Sequence, residues 1–221
     1  MLGTLIWVTW NLFLAAIPVA LAFSMRGLWN GSRSARVLVW LLGFFWLIFL
    51  PNTCYLLTEW RHFLHTLEGA RFYTRWTEFG DLEALRQLIL RSIFFFMYSA
   101  LGMITYALAI RPVYRLLRDA NPRAWLWGIP FFPLISLGVY LGLIQRFNSW
   151  DLLHNPGLIF TESWRAVNRP DLFAFILAFG AFLWLAYFLL DLWIDGVLLR
   201  WRNAKELSGS GTPLPAGSSG E

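Results

Sequence analysis

The sequence predicts an all-α integral membrane protein of about five transmembrane helices, with interfacial helices in two loops at one face. Three observations carry this. Apolar residues make up 58% of the 221-residue chain and charged residues 14%, against roughly 45–50% and roughly 25% in a soluble domain. Apolar stretches recur that reach the about 20 residues needed to cross a hydrocarbon core about 30 Å thick. Tryptophans gather near the ends of those stretches (Trp7, Trp10, Trp60, Trp125, Trp127, Trp150, Trp164, Trp201), as interfacial aromatic belts do.

The first span covers residues 2–23. Ala20-Leu21-Ala22 resembles a signal-peptide cleavage site, but the first basic residue, Arg26, follows the apolar run instead of preceding it. A retained helix is therefore the expectation. The second span runs over 37–50, continues past Pro51 and ends near Leu57; the third covers 88–110. The fourth covers 124–144 with Pro130 and Pro133 inside it, and the fifth covers 172–199. Residues 1–207 thus read as one polytopic domain, and the Gly-, Ser- and Pro-rich stretch 208–221 as a disordered tail.

With five spans, Arg26, Arg33, Arg36, Arg111, Arg115, Arg118 and Arg123 share a side with the C-terminal Arg200, Arg202 and Lys205. The basic residues of the other side are fewer, spread over two longer loops and offset by carboxylates. The positive-inside tendency then puts the C-terminus in the cytoplasm and the N-terminus outside. The loops 58–87 and 145–170 form a cap at the outer, periplasmic or lumenal, face of a plasma or inner membrane.

Several functional classes are excluded or disfavoured by composition. The single cysteine, Cys54, leaves no intramolecular disulfide and no zinc site built on paired thiolates. The basic balance does not argue for nucleic acid, because the charges are scattered and form no stripe. No phosphate-binding glycine loop, nucleophile elbow or catalytic triad is present.

Chemistry concentrates in two strings. One is PNTCYLLTEWRHFLH, from Pro51; the other is QRFNSWDLLHNP, from Gln145. All three histidines, His62, His65 and His154, lie in them. The two spans between the strings bring both to one face. On a helical wheel of about 100° per residue, Tyr55, Thr58, Glu59, Arg61, His62, His65 and Thr66 share one arc, opposite Leu56, Leu57, Trp60, Phe63 and Leu64. Pro51 breaks backbone hydrogen bonding, and Asn52 is placed to bond the freed carbonyls. Beyond that break the string is either an interfacial helix with a wet face or one whose polar face lines a cavity between spans.

Glu59-x-x-His62 and Asp151-x-x-His154 each set a carboxylate and an imidazole one helical turn apart. Facing one another, Glu59, His62, Asp151 and His154 have the chemistry of an iron, manganese or zinc site, which His65 could join. Glu59, His62 and Asp151 are equally the candidates for acid–base catalysis. The structural alternative pairs Glu59 or Asp151 with Arg146, which sits at a span end and must find a carboxylate, a backbone carbonyl or a lipid phosphate. Asn148-Ser149-Trp150-Asp151 is placed to cap a helix running onward from Trp150. Asn52, Tyr55, Thr58, Arg146, Asn148, Ser149 and Trp150 make up the candidate polar cluster. Asp191 and Asp195, four apart, repel one another unless they pair with Arg111, Arg115 or Arg200 or lie on a proton or cation path. Asn11 and Arg91 are candidates for bonds across helices, and Ser99, Ala100, Gly102, Ala178, Gly180 and Ala181 for close helix packing.

The two strings resemble the bacterial membrane family known as domain of unknown function 1361, with its Pro-Asn-x-x-Tyr-x-x-Thr-Asp-x-x-His stretch and later Arg-Trp-Asn-Ser-Trp-Asp stretch. Pro51, Asn52, Tyr55, Thr58 and His62 match the first, with Glu59 for the aspartate. Arg146, Asn148, Ser149, Trp150 and Asp151 match the second, with Phe147 for the first tryptophan. The family tends to carry an arginine after Tyr-Leu-Gly, where this chain has Leu143 after Tyr140-Leu141-Gly142. His65 and His154 are not part of the family pattern. The resemblance runs from about Val37 to Asp171 and implies a polytopic membrane protein without implying an activity or a cofactor.

The leading functional expectation is a non-catalytic accessory or binding component. Its outer polar cluster would hold a lipid headgroup, a small ligand or a membrane-protein partner, in contact with the bilayer and not with nucleic acid. The alternative is a membrane-embedded enzyme using the Glu59, His62 and Asp151 chemistry. A small transporter comes last, because the spans carry few polar residues midway.

Overall fold

The computed structural model describes residues 2–58, 64 and 71–209, and the described residues form helices without strands. In chain order these are α1 (Leu2–Leu28), α2 (Arg33–Phe49), α3 (Pro51–Thr58), α4 (Phe72–Phe79) and α5 (Leu82–Ala120). A 3-10 turn (Ala124–Trp127) leads into α6 (Gly128–Leu143), followed by α7 (Asp151–His154), α8 (Pro156–Val167) and α9 (Pro170–Gly209). Five stretches are long and apolar enough to cross a membrane: Val8–Leu28, Arg33–Leu56, Leu82–Ala120, Ala124–Leu143 and Pro170–Glu206. The five-span reading therefore holds, and the chain is a polytopic helical membrane protein.

Two helices outrun their expected bounds by the most. α5 has 39 residues and α9 has 40, so each is close to 60 Å long, about twice the hydrocarbon thickness. The start of α5 has a local cause. Gly80, at φ +65°, closes α4 in the left-handed conformation, its N–H donating to Trp76 O. Asp81 then caps α5, its carboxylate accepting from the N–H groups of Glu83 and Ala84 at 3.0 and 3.1 Å. The fourth span begins as a 3-10 turn instead of an α-helix, and Pro130 falls in the first turn of α6, where its missing N–H leaves no carbonyl unserved. The helix α9 reaches Gly209, and residues 210–221 of the expected tail lie outside the described ones.

The short α3 stands in the middle of the bundle and packs against α1, α2, α5 and α6. Its Pro51, Asn52, Thr53, Cys54 and Leu56 are all buried. Close approach on one side depends on Gly102 of α5, where a Cβ would lie 2.6 Å from that of Leu56; Ser99 donates to Leu56 O at 3.4 Å beside it. Gly180 does the same for α9, which runs against the backbone at Pro133. Small residues thus set helix approach in the third and fifth spans, as expected. Asn11, by contrast, finds no partner for its buried amide nitrogen among the described residues. Arg91 lies over the Phe72 ring at 5.0 Å, a cation–π contact with α4.

At the end of the bundle away from the strings, charges tie α5 to α9. Buried Arg111 pairs with Asp191 at 2.9 Å and also with Asp195, and Arg115 reaches Asp195 at 3.1 Å. The two carboxylates thus take the arginine partners expected of them. The match is one of spacing: Arg111 and Arg115 are one turn apart on α5, as the aspartates are on α9.

Candidate functional site

Pro51 interrupts the second span. It has no N–H to donate, so the backbone ladder fails at the α2–α3 junction. In a bilayer no water replaces the missing donors, and the exposed carbonyls must be served from within the protein. Side chains do this. Asn52 Nδ2 donates to Phe49 O at 3.0 Å, and Thr53 Oγ1 to Leu50 O at 2.8 Å, beside the Thr53 N–H that reaches the same carbonyl at 3.1 Å. The third donor comes from the other string: Ser149 Oγ donates to Ile48 O at 3.3 Å. The same hydroxyl accepts from Asn52 Nδ2 at 3.1 Å. The two strings meet at this bond.

More of α3 is seated in α6. Pro51 and Tyr55 are one turn apart, and so are Gly138 and Gly142 of α6. A Cβ on Gly138 would come within 2.6 Å of Pro51 Cγ, and one on Gly142 would overlap the Tyr55 hydroxyl. The Tyr55 hydroxyl instead donates to Gly138 O at 3.5 Å. On the other flank, Trp150 packs edge-on against Phe49 with centroids 5.2 Å apart.

Not every expected partner arrives. The Asp151 carboxylate accepts from the Asn148 N–H at 2.7 Å, so it folds its own turn and does not pair with Arg146. No side chain caps α7; the expected cap at 148–151 gives way because Ser149 is engaged with Asn52 and Ile48. His154 is exposed, its Nδ1 2.9 Å from Trp150 O. Arg146 sits at φ +60°, left-handed for a residue with a side chain, exposed and without an ion pair among the described residues. Glu59, His62 and His65, together with Arg61 and Thr66, lie outside the described residues, as does the side chain of Thr58. Among the described residues no three His, Cys, Asp or Glu side chains come together as a metal site.

A cavity of about 280 Å³ opens beside the junction. Its walls include Ile48, Pro51 and Tyr55 from the first string's side, Gly138 and Gly142 from α6, and residues 147–149 from the second string. Leucine, isoleucine and phenylalanine form most of the remainder, with Ser163 of α8. Tyr55, Asn148 and Ser149 thus line the cavity, Asn52 is bonded to Ser149 and Trp150 packed on Phe49 beside them, and Arg146 lies two residues from Asn148. Gly138 and Gly142 are site residues that the polar strings do not reveal. A Gly-x-x-x-Gly pattern inside an apolar span is the signal that marks them.

A family model described as "Protein of unknown function (DUF1361)" matches residues 10–186. No curated protein and no solved structure matches the chain.

Proposed function

The chain belongs to the DUF1361 family of proteins of unknown function, and from that premise we propose that it is a non-catalytic binding component that holds a membrane lipid at the string-bearing end of the bundle. The cavity beside Pro51 carries this reading. Both strings help to line it, its walls are apolar, and its polar edge holds Asn148 and Ser149. At about 280 Å³ it is slightly smaller than the roughly 300–1,000 Å³ of ligand pockets. That size suits one acyl-chain segment with the headgroup left outside. Arg146, exposed, without an ion pair among the described residues and two residues before Asn148, supplies a cation for an anionic headgroup. Its left-handed backbone supports a positioning role, since strain of this kind clusters where function uses it. The distribution of Arg and Lys supports an extracytoplasmic location for this end.

Native mass spectrometry of the protein released from phosphatidylglycerol and phosphatidylcholine nanodiscs tests the reading. The wild-type chain retains both lipids, phosphatidylglycerol more than phosphatidylcholine. Leu152→Trp, which fills the cavity, abolishes retention of both lipids, and Arg146→Gln removes the preference for the anionic one. Equal retention by wild type and Leu152→Trp overturns the proposal.

A further inference from the structure

A larger cavity, about 520 Å³, lies at the opposite end of the bundle between α2, α5, α6 and α9. It falls well inside the size range of small-molecule sites. Half of the residues lining it are aromatic, against 19% of the chain. Those rings are held in place by contacts within the protein. The Trp46 indole donates to Ala109 O at 2.9 Å and stacks on Phe131, 7° from parallel at 5.6 Å. Trp184 stacks on Phe132, 15° from parallel at 5.8 Å. Behind it Gly128 leaves room that a Cβ, 3.1 Å from the indole, would take. At the rim, Trp125, Trp127 and Phe188 keep 55, 58 and 54% of their surface uncovered, so the opening is itself aromatic.

The charge of this cavity is decided by one residue. Asp191 reaches it but is already paired with Arg111, and Arg115 offsets Asp195. Arg118, which also lines the cavity, has no ion pair among the described residues. A guanidinium beside a preformed aromatic enclosure favours an anion attached to a flat apolar body.

We propose that this cavity is a second binding site, for a membrane-soluble compound in which an aromatic or conjugated ring carries one anionic group. The ring lies among the indoles and phenyls, and the anion rests on Arg118. The site shares only the wall residue Leu134 with the lipid cavity at the string-bearing end.

Equilibrium dialysis of 2-naphthoate against the full chain in phosphatidylcholine nanodiscs, corrected for empty nanodiscs, tests this. The expected result is one saturable site per chain. The neutral analogue 2-naphthylmethanol binds about tenfold more weakly, the loss of one charge-assisted hydrogen bond. Decanoate, an anion without a ring, binds about fivefold more weakly, as the stacking contribution predicts. Arg118→Gln, at an exposed position that leaves the fold intact, lowers naphthoate affinity to the level of the neutral analogue, and Arg118→Lys recovers most of it. Leu152→Trp at the other cavity leaves naphthoate binding unchanged, which separates this proposal from the lipid-binding one. Absence of a saturable site, equal binding of decanoate, or indifference to Arg118→Gln each overturns it.

Discussion

Asn52 and Ser149 stand 97 residues apart, and the Asn52 amide donates to the Ser149 hydroxyl at 3.1 Å. Each also donates to a carbonyl that the proline break leaves without its usual donor, Asn52 to Phe49 and Ser149 to Ile48. One contact therefore joins the two strings and serves two of the carbonyls at the break. Asn52→Ala and Ser149→Ala each cost about 1–3 kcal/mol, the effect of stranding a buried acceptor. In a double-mutant cycle the pair shows a coupling of about 0.5–3 kcal/mol. Unfolding in mixed micelles by added SDS measures both, and strictly additive losses would count against the contact.

Gly142 is the notch that admits the Tyr55 hydroxyl. Gly142→Ala forces α3 and α6 apart and costs about 1–3 kcal/mol of stability, the range for overpacking. The clash is chiefly with the phenol oxygen, so adding Tyr55→Phe restores part of the loss. A double variant no more stable than Gly142→Ala alone shows that the overlap lies elsewhere.

Arg111 is the buried member of the charge network, and Asp195 is nearly half exposed, at 47% of its side-chain surface. Arg111→Met strands Asp191 and costs about 3 kcal/mol, the lower part of the range for breaking a buried pair. Asp195→Asn costs about 1 kcal/mol or less, as exposed pairs do. The prediction concerns the order, which thermal unfolding of the two variants in detergent reads directly. A larger loss for Asp195→Asn contradicts the network as drawn.

Acid acts on the corner between α4 and α5. The N–H of Ala84 foremost, then Arg75, hold the Asp81 carboxyl below its ordinary 3.8. A carboxyl depressed by folding contributes stability that is fully present above its unfolded value and fades as pH falls through the folded one. Amide exchange at Glu83 and Ala84 therefore accelerates below about pH 4, where unfolded aspartate begins to protonate. Asp81→Asn keeps the cap and removes this dependence, and Asp81→Ala frays the helix start at every pH. Acid-insensitive exchange in the wild type would sink the assignment.

Arg146→Gly separates backbone from charge. At φ +60° a side chain costs roughly 1–2 kcal/mol, which glycine relieves less its own entropy cost of roughly 0.5–1 kcal/mol. The variant is as stable as wild type or slightly more so, yet loses the preference for phosphatidylglycerol. A destabilised variant would show that the guanidinium holds the fold.

The bundle was legible because spans depend on length and apolarity, which a sequence carries openly. So was the placement of both strings at one face, since two crossings return a chain to the same side, but not the bond by which they meet. Asp191 and Asp195 pointed to their arginines because like charges one turn apart demand cations. Other features depend on who arrives nearby. Ser149 reads as a helix cap in its own segment and becomes a donor to Ile48 only in the folded bundle. Arg146 at a span end called for a carboxylate, a backbone carbonyl or a lipid phosphate, and the carboxylate five residues on, Asp151, turns to the Asn148 N–H instead. The pair Gly138 and Gly142 marks a close approach without saying that Pro51 and Tyr55 fill it.

The repair at Pro51 also imposes an order on biogenesis. The Ile48 carbonyl leaves the ribosome 101 residues ahead of the serine that serves it, a delay of roughly 5–20 s at about 5–20 residues per second. Until then the second span enters the bilayer with a gap in its ladder that only water or the translocon can fill. Pairing of that carbonyl therefore waits for the fourth span and the loop that follows it.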